Sequence, residues 1–561
     1  MKPLSLGGKT KYLAGLIALL PCLTTAGNIL HSEKKETKIA GLVPSAKPNI
    51  IFFISDDMER IMFNCLPEGK GKNLTPNIDL LVKEGVVLMG QHVSSSVCTP
   101  SRYSCLTGQY ASRSTCDEFV SDTRKMNGAT VVQWNSYIPN GGKTIGALLQ
   151  QQGYRTGFVG KNHAIEAPGW KKLALNADPA DPKVKQELLK NARIVEENIK
   201  RTGFDFAGAN YQDNPHYLGP EKLRTQNLDW ITAKGLEFMD QKCDQPFFLY
   251  FATTVPHGPS DAAHSWNGDR RITSEGYLDK VPNVLPAKET IAKRLIAAGL
   301  AKPGKIPDEK ANTVWIDDAV GALIKKLKET GKYENTIIVF FTDHGQWAKG
   351  SVYEGGVSSP SIIWKKGGFK CGAVNTDLIS NIDFAPTLFE MAGGKPETIK
   401  SFDGKSFLPI LNGEKRKMHE SLYFEMGFSR GVLKDSLKYI ALRYPEFANK
   451  WTIEKRKEVL EKYNKSRIDN KMAYHFTDPT MPFSHVMLIP GGGDAEYLST
   501  KRYKHYFEPN QLYDLRNDPK EQNNLYGKPE YAAKQEELKA ELVKYLKNLP
   551  GNFGEFKNKI D

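Results

Sequence analysis

The chain has 561 residues, of which 40% are hydrophobic and 25% charged, with a formal charge of +13. This composition excludes a disordered or low-complexity protein, and the length suggests one large domain plus a smaller one. No basic stretch is interleaved with aromatics as a nucleic-acid surface requires, so no nucleic-acid partner is expected; a mildly basic chain is consistent with an acidic polymer as substrate.

Residues 1–26 read as a secretory signal, with Lys2, Lys9 and Lys11, an apolar run at 13–20, and Thr24-Thr25-Ala26 as a cleavage site. The run is too short to span a bilayer. Pro21 disfavours lipid attachment at Cys22, so a secreted or periplasmic location is expected over lipoprotein anchoring. Residues 27–47 are a polar, flexible lead-in. Asn49 then opens a continuous apolar run to Ile54, the pattern of a parallel-sheet strand covered on both faces. It ends in Ser55-Asp56-Asp57, where open α/β sheets place their ligands. Two adjacent carboxylates repel, and a cation between them is the natural remedy.

Thr75, Pro76 and Gly85 delimit the next helix, and 86–89 is a short strand. Small polar residues at 94–96 lead into Cys98. Pro100 suits a first helical turn and Gly108 an end, which places Cys98 at the positive end of a helix dipole with Arg102 one turn on. A helix at 144–152 and a strand at 154–159 deliver Lys161 and His163. The stretch 167–245 reads as an insertion with helices at 184–199 and 228–239, and 247–252 is another buried strand, leading to His257. Residues 259–305 read as binding loops. A helix over 308–330 carries an apolar stripe, and the strand 336–341 ends in Asp343-His344, with Lys349 following. Strand 361–364 and helix 385–391 complete the alternation. Beyond 411 come short segments at 421–425, 431–434 and 438–443 that read as antiparallel strands, then a helix at 532–546. The seven cysteines, at 22, 65, 98, 105, 116, 243 and 371, are not a disulfide framework, and no spacing selects a single bridge.

The strands judged buried on both faces end in residues capable of chemistry: Asp56 and Asp57, Lys161 and His163, His257, Asp343 and His344. In a parallel sheet these ends share one edge, so residues remote in sequence are expected to converge.

The pattern Cys98-x-Pro100-x-Arg102, continued by Leu106-Thr107-Gly108, resembles the signature of the type I sulfatases of the alkaline phosphatase superfamily, in which this cysteine is oxidised to formylglycine (3-oxoalanine). The resemblance covers most of 48–412, with further similar segments at 403–409 and 512–524. It implies an α/β fold: a large, mostly parallel mixed sheet sandwiched by helices, with a smaller C-terminal antiparallel α+β domain. The expected division is a catalytic domain at 48–412 and a smaller domain at 413–561. The resemblance further implies that Asp56, Asp57, Asp343 and oxidised Cys98 ligate one divalent cation. Hard oxygen donors favour Ca²⁺. His344 takes a ligand position often filled by Asn. Arg102 and Lys161 match residues that hold and tune the nucleophile, His163 a base, and His257 and Lys349 the pair touching sulfate and its leaving oxygen. A formylglycine-generating maturation enzyme is an implied partner.

The segment 66–72 through Cys98 is similar to bacterial sulfatases acting on marine algal polysaccharides such as ulvan or carrageenan, so a sulfated poly- or oligosaccharide is the expected substrate. Arg270, Arg271 and His216 are candidate contacts to uronate or sulfate. Two other readings stay open: a phosphatase or phosphodiesterase of the same superfamily, and a glycan-binding protein in which Cys98 is never oxidised.

Overall fold

In the computed structural model, Asn49–Asp56 forms the central strand β1, buried in all eight residues. The structure describes residues 47–369, 372–485, 488–490, 493 and 495–556; the expected signal and lead-in up to 46, with Cys22 and Cys371, lie outside them. Around β1 stand Val86–Leu88 (β2), Arg155–Asn162 (β3), Phe206–Gln212 (β4), Phe247–Pro256 (β5), Thr336–Thr342 (β6), Ser361–Lys365 (β7) and Ala373–Asn375 (β8). Their order is β8-β2-β7-β6-β1-β5-β3-β4. Only β7 runs antiparallel, to both β6 and β2; the other pairings are parallel.

The unbroken apolar run of β1 serves two cores. Ile50, Phe52 and Ile54 pack with residues of helices Cys98–Thr107, Ile145–Gln151 and Phe384–Met391. Ile51 and Phe53 face the opposite way, among residues of helices Pro76–Glu84, Leu228–Asp240 and Asp308–Glu329. Phe53 lies between Phe251 and Phe340 of the flanking strands, with centroids 4.8 and 5.1 Å away. Each such ring contributes about 1.5–3 kcal/mol by burial. This is the expected sandwich: a large, mostly parallel mixed sheet with helices on both faces.

A second sheet comprises Ser421–Met426 (β9), Ser429–Lys434 (β10), Leu437–Leu442 (β11) and Asn510–Asp514 (β12), all antiparallel in that order. One face packs Tyr423, Val432, Tyr439 and Leu512 on Leu538, Leu542 and Leu546 of helix Ala532–Asn548. The other sends Leu422, Phe424, Leu433 and Ile440 into the same core as Ile50 and Phe52. Buried Lys438 ties this sheet to the segment between β6 and β7, 2.9 Å from Glu354, and also lies 3.2 Å from Glu521.

Three of the longer helices differ from the sequence reading. Glu289–Ala297 lies inside the stretch expected to be loops, and neither Asp117–Lys125 nor Ile453–Asp469 was anticipated. The last buries only Leu460, so it lacks the apolar stripe that announces a helix. Among the described residues, Cys65, Cys98, Cys105, Cys116 and Cys243 form no disulfide, and no helix is long and apolar enough to cross a membrane.

The strands β1 and β3 are irregular near their carboxyl ends: β1 shifts register between Ile54 and Asp56, and β3 between Val159 and Lys161. Such bulges re-aim the side chains that follow. In β3 the irregular residue is Gly160, with φ +88°, and a Cβ there would stand 1.8 Å from the carbonyl oxygen of Ala252. Gly160→Ala is therefore expected to cost more than about 1 kcal/mol, read from the urea midpoint; an unchanged midpoint would contradict this packing.

Candidate active site

The chain assembles its reactive groups along one edge of the main sheet. Asp56 ends β1, and Asp57 turns the chain with φ 62°. Asp343 and His344 follow β6 directly. The two turns are joined: the Asp57 N–H donates to Asp343 Oδ1 (3.1 Å), the Met58 N–H to Thr342 Oγ1 (3.1 Å), and the Asp343 N–H to the Ser55 carbonyl (3.2 Å).

The helix Cys98–Thr107 points its amino end at this edge. It begins after extended Val97, carries Pro100 in its first turn and closes on Gly108 at φ 69°. Cys98 and Arg102 are both 1% exposed. One turn along the helix, Arg102 spans two acids: Nε donates to Asp343 Oδ2 and Nη2 to Asp56 Oδ1, each at 3.1 Å. Its Nη1 is buried with no hydrogen-bond partner among the described residues. Lys161 donates to the other Asp56 oxygen at 2.8 Å. Lys349 donates to both Asp57 oxygens, at 2.7 and 2.9 Å, and lies 3.8 Å from Cys98 Sγ.

Two histidines are set by backbone carbonyls. His257 Nδ1 lies 2.9 Å from the Gly258 oxygen, and His344 Nδ1 3.2 Å from that of Gly345. A carbonyl only accepts, so in both rings Nδ1 carries the proton. The Nε2 of His257 then faces Asp57 Oδ2 at 3.6 Å, and that of His344 faces Asp57 Oδ1 at 3.1 Å and Cys98 Sγ at 3.5 Å. The lone pairs of a neutral Nε2 and a carboxylate oxygen repel, so a proton or a cation is required between His344 and Asp57. His163 is buried, with Nδ1 3.4 Å from Asp213 Oδ1.

Burial alone would raise the acids, but the cations prevail. Lys161, with His257 and Arg102, holds Asp56 well below the usual carboxylate range. Lys349, His257 and His344 do the same for Asp57. Burial would likewise lower the two lysines, yet Asp56 raises Lys161 and Asp57 raises Lys349. Burial pushes the Cys98 thiol well up despite Lys161 and Lys349, so as a thiol it is not an activated nucleophile. Burial and the neighbouring Lys161 push His163 well down, which favours the neutral ring.

Two groups of donor atoms lie within 4.8 Å of one another: Asp56, Cys98 and Asp343, and Asp57, Cys98 and His344. They share position 98, which makes them two sides of one centre. The carboxylates fit a hard divalent cation; a sulfur at 98 does not, whereas an oxygen in its place would complete a hard donor set.

Every residue expected at the site is thus found on this edge. Asp213 was missed. It follows β4 with φ 64° and lies 3.8 Å from Lys161 as well as beside His163. Ala, Gly and Asn within β4 hid the strand inside an apparent insertion. Among the candidate substrate contacts, His216 stacks on His257, with ring centroids 5.8 Å apart. Arg270 does not join them: it is buried against Asp229 at 2.8 Å and serves the fold. Arg271 pairs with Asp269 at the surface.

A family model described as Sulfatase matches residues 48–394. An ulvan-active sulfatase of Formosa agariphila is 24% identical over 558 residues, covering 92% of this chain and 78% of that one. An N-acetylglucosamine-6-O-sulfatase of Bacteroides thetaiotaomicron is 23% identical over 576 residues, covering 93% and 89%. Among solved structures, one in complex with its substrate D-glucosamine-2-N,6-O-disulfate superposes with a TM-score of 0.54 at 18% identity, covering 90% of this chain and 98% of that one.

Removing Arg102 leaves Asp343 without its guanidinium and Asp56 with Lys161 alone. With a chelator present, Arg102→Met is expected to lower the unfolding free energy by about 3–5 kcal/mol, the usual cost of breaking a buried ion pair. A loss below about 1 kcal/mol in urea titration would show that the acids do not need it.

Proposed function

Because the chain belongs to the sulfatase family and is a sulfuric ester hydrolase, we propose that it desulfates a sulfated carbohydrate, an algal polysaccharide or its oligosaccharides, through a formylglycine made from Cys98. The observation that carries this reading is the meeting of Cys98 with three carboxylates and three cations in one buried cluster. Asp56, Asp57 and Asp343 pair with Arg102, Lys161 and Lys349, and Asp213 stands 3.8 Å from Lys161. A divalent cation added to these groups makes the pocket positive, as an anionic ester needs.

Asp56, Asp57, Asp343, His344 and the oxygen replacing Cys98 Sγ would hold Ca²⁺, which supplies Lewis-acid polarisation. The hydrated aldehyde at 98 would supply an oxygen nucleophile and a second hydroxyl. Arg102 and Lys161 fix that residue and offset negative charge on the sulfuryl oxygens, as does Lys349. A sugar alkoxide leaves poorly, so a proton donor is worth about 10²–10⁴ in rate. His257 would fill that role from Nε2 when a second proton sits there, as its Nδ1 proton is committed to the Gly258 carbonyl. His163, neutral at the start, takes the proton of the second hydroxyl as sulfate departs.

The same reading makes residues 1–26 an export signal, places the mature protein outside the cytoplasm, and requires a maturation enzyme to oxidise Cys98. It divides the chain into a catalytic part at 48–412 and a smaller part at 413–561.

In protein from a host that makes formylglycine, the tryptic peptide holding Cys98 is expected to be lighter than its cysteine form; an unmodified thiol would favour the glycan-binding reading. Cys98→Ala should abolish sulfate release while leaving the thermal midpoint near wild type, and wild-type turnover by Cys98→Ser would contradict the mechanism. Asp343→Ala should lose both activity and calcorimetric Ca²⁺ binding; activity that survives exhaustive chelation would remove the cation from the mechanism. Across a panel of defined esters, sulfate should be released from ulvan or carrageenan oligosaccharides. Release from glycosaminoglycan members alone would move the substrate class, and turnover of phosphate esters alone would overturn the reading.

A further inference from the structure

Trp347 is 57% exposed, an unusual position for the largest apolar side chain. It stands two residues before Lys349, so the two Cα atoms are no more than about 7 Å apart. Its loop is fixed: the Gly345 N–H donates to the Gly356 carbonyl at 2.8 Å and the Ala348 N–H to that of Gly355 at 3.1 Å. The indole itself is fixed as well. Arg502, from the C-terminal part of the chain, places its guanidinium 3.6 Å from the ring centroid and donates from Nη1 to the Trp347 carbonyl. A Cβ on Gly355 would come within 2.8 Å of Trp347 Cδ1, so a glycine is what lets the ring seat there.

The guanidinium takes one ring face, and more than half of the residue's surface stays open to a ligand. The result is a flat apolar plate, braced by Arg502, on the same short loop as the lysine that grips Asp57. Binding to such a plate loses little side-chain entropy. The flat C–H face of a pyranose is the ligand chemistry that matches it, and weak C–H contacts to the ring add to the buried area.

We propose that Trp347, braced by Arg502, is a carbohydrate subsite that stacks the pyranose ring next to the sulfated sugar. The inference rests on the desulfation reading, but its test does not require turnover. In isothermal titration of the full chain with desulfated tetrasaccharides prepared from ulvan and from heparin, at least one probe is expected to bind. Trp347→Ala should raise its Kd about tenfold, and Trp347→Phe, which keeps an aromatic face, no more than about threefold. Three results would each overturn the subsite: no binding of either probe, equal Kd for wild type and Trp347→Ala, or equal losses in the Ala and Phe variants. Binding that behaves as expected in a protein releasing no sulfate from any ester would keep the subsite and sink the catalytic reading instead.

Discussion

The arrangement depends on one guanidinium. Arg102 sits between Asp56 and Asp343 with almost no exposure, and those acids end two neighbouring strands of the central sheet. Charges this far from water are tolerated only when each has a partner of good geometry. The helix that carries Arg102 also begins at Cys98, so satisfying the acids fixes where that residue stands. Packing of the apolar strands brings the acids together, and the ion pairs then leave position 98 little freedom.

This coupling explains why much of the site could be read from the sequence. A strand buried on both faces has to be apolar throughout, as Ile50–Ile54 and Ile337–Phe341 are, and its polar terminus then stands out. Asp56, Asp57, Asp343 and His344 were legible for that reason, and Lys161, His163 and His257 for a similar one. Legibility failed where the pattern weakened. Strand β4 borders the sheet with Ala, Gly and Asn in its span, so Asp213 at its end gave no comparable signal. The helix Ile453–Asp469 is held by little apolar contact, and periodicity reports only what is buried. Arg270 failed in the opposite direction: an arginine in a loop-rich stretch looks solvent-facing, yet Asp229 draws it inward.

The state of Cys98 is also informative. A cysteine used as a thiolate needs an environment that lowers its pKa, and here burial raises it. The surrounding lysines and arginine are held chiefly by acids, with Lys349 3.8 Å from Sγ but 2.7 Å from Asp57. The surroundings of position 98 therefore suit an oxygen nucleophile better than a thiolate, which is what the proposed formylglycine would supply.

The second sheet has a consequence for how the molecule tolerates damage. Its inner face shares a core with the central strand, and Lys438 reaches across to Glu354, five residues from Lys349. The carboxy-terminal quarter is therefore built into the main body of the fold. A side chain lost from the inner face of that sheet would loosen the core on which the central strand also rests.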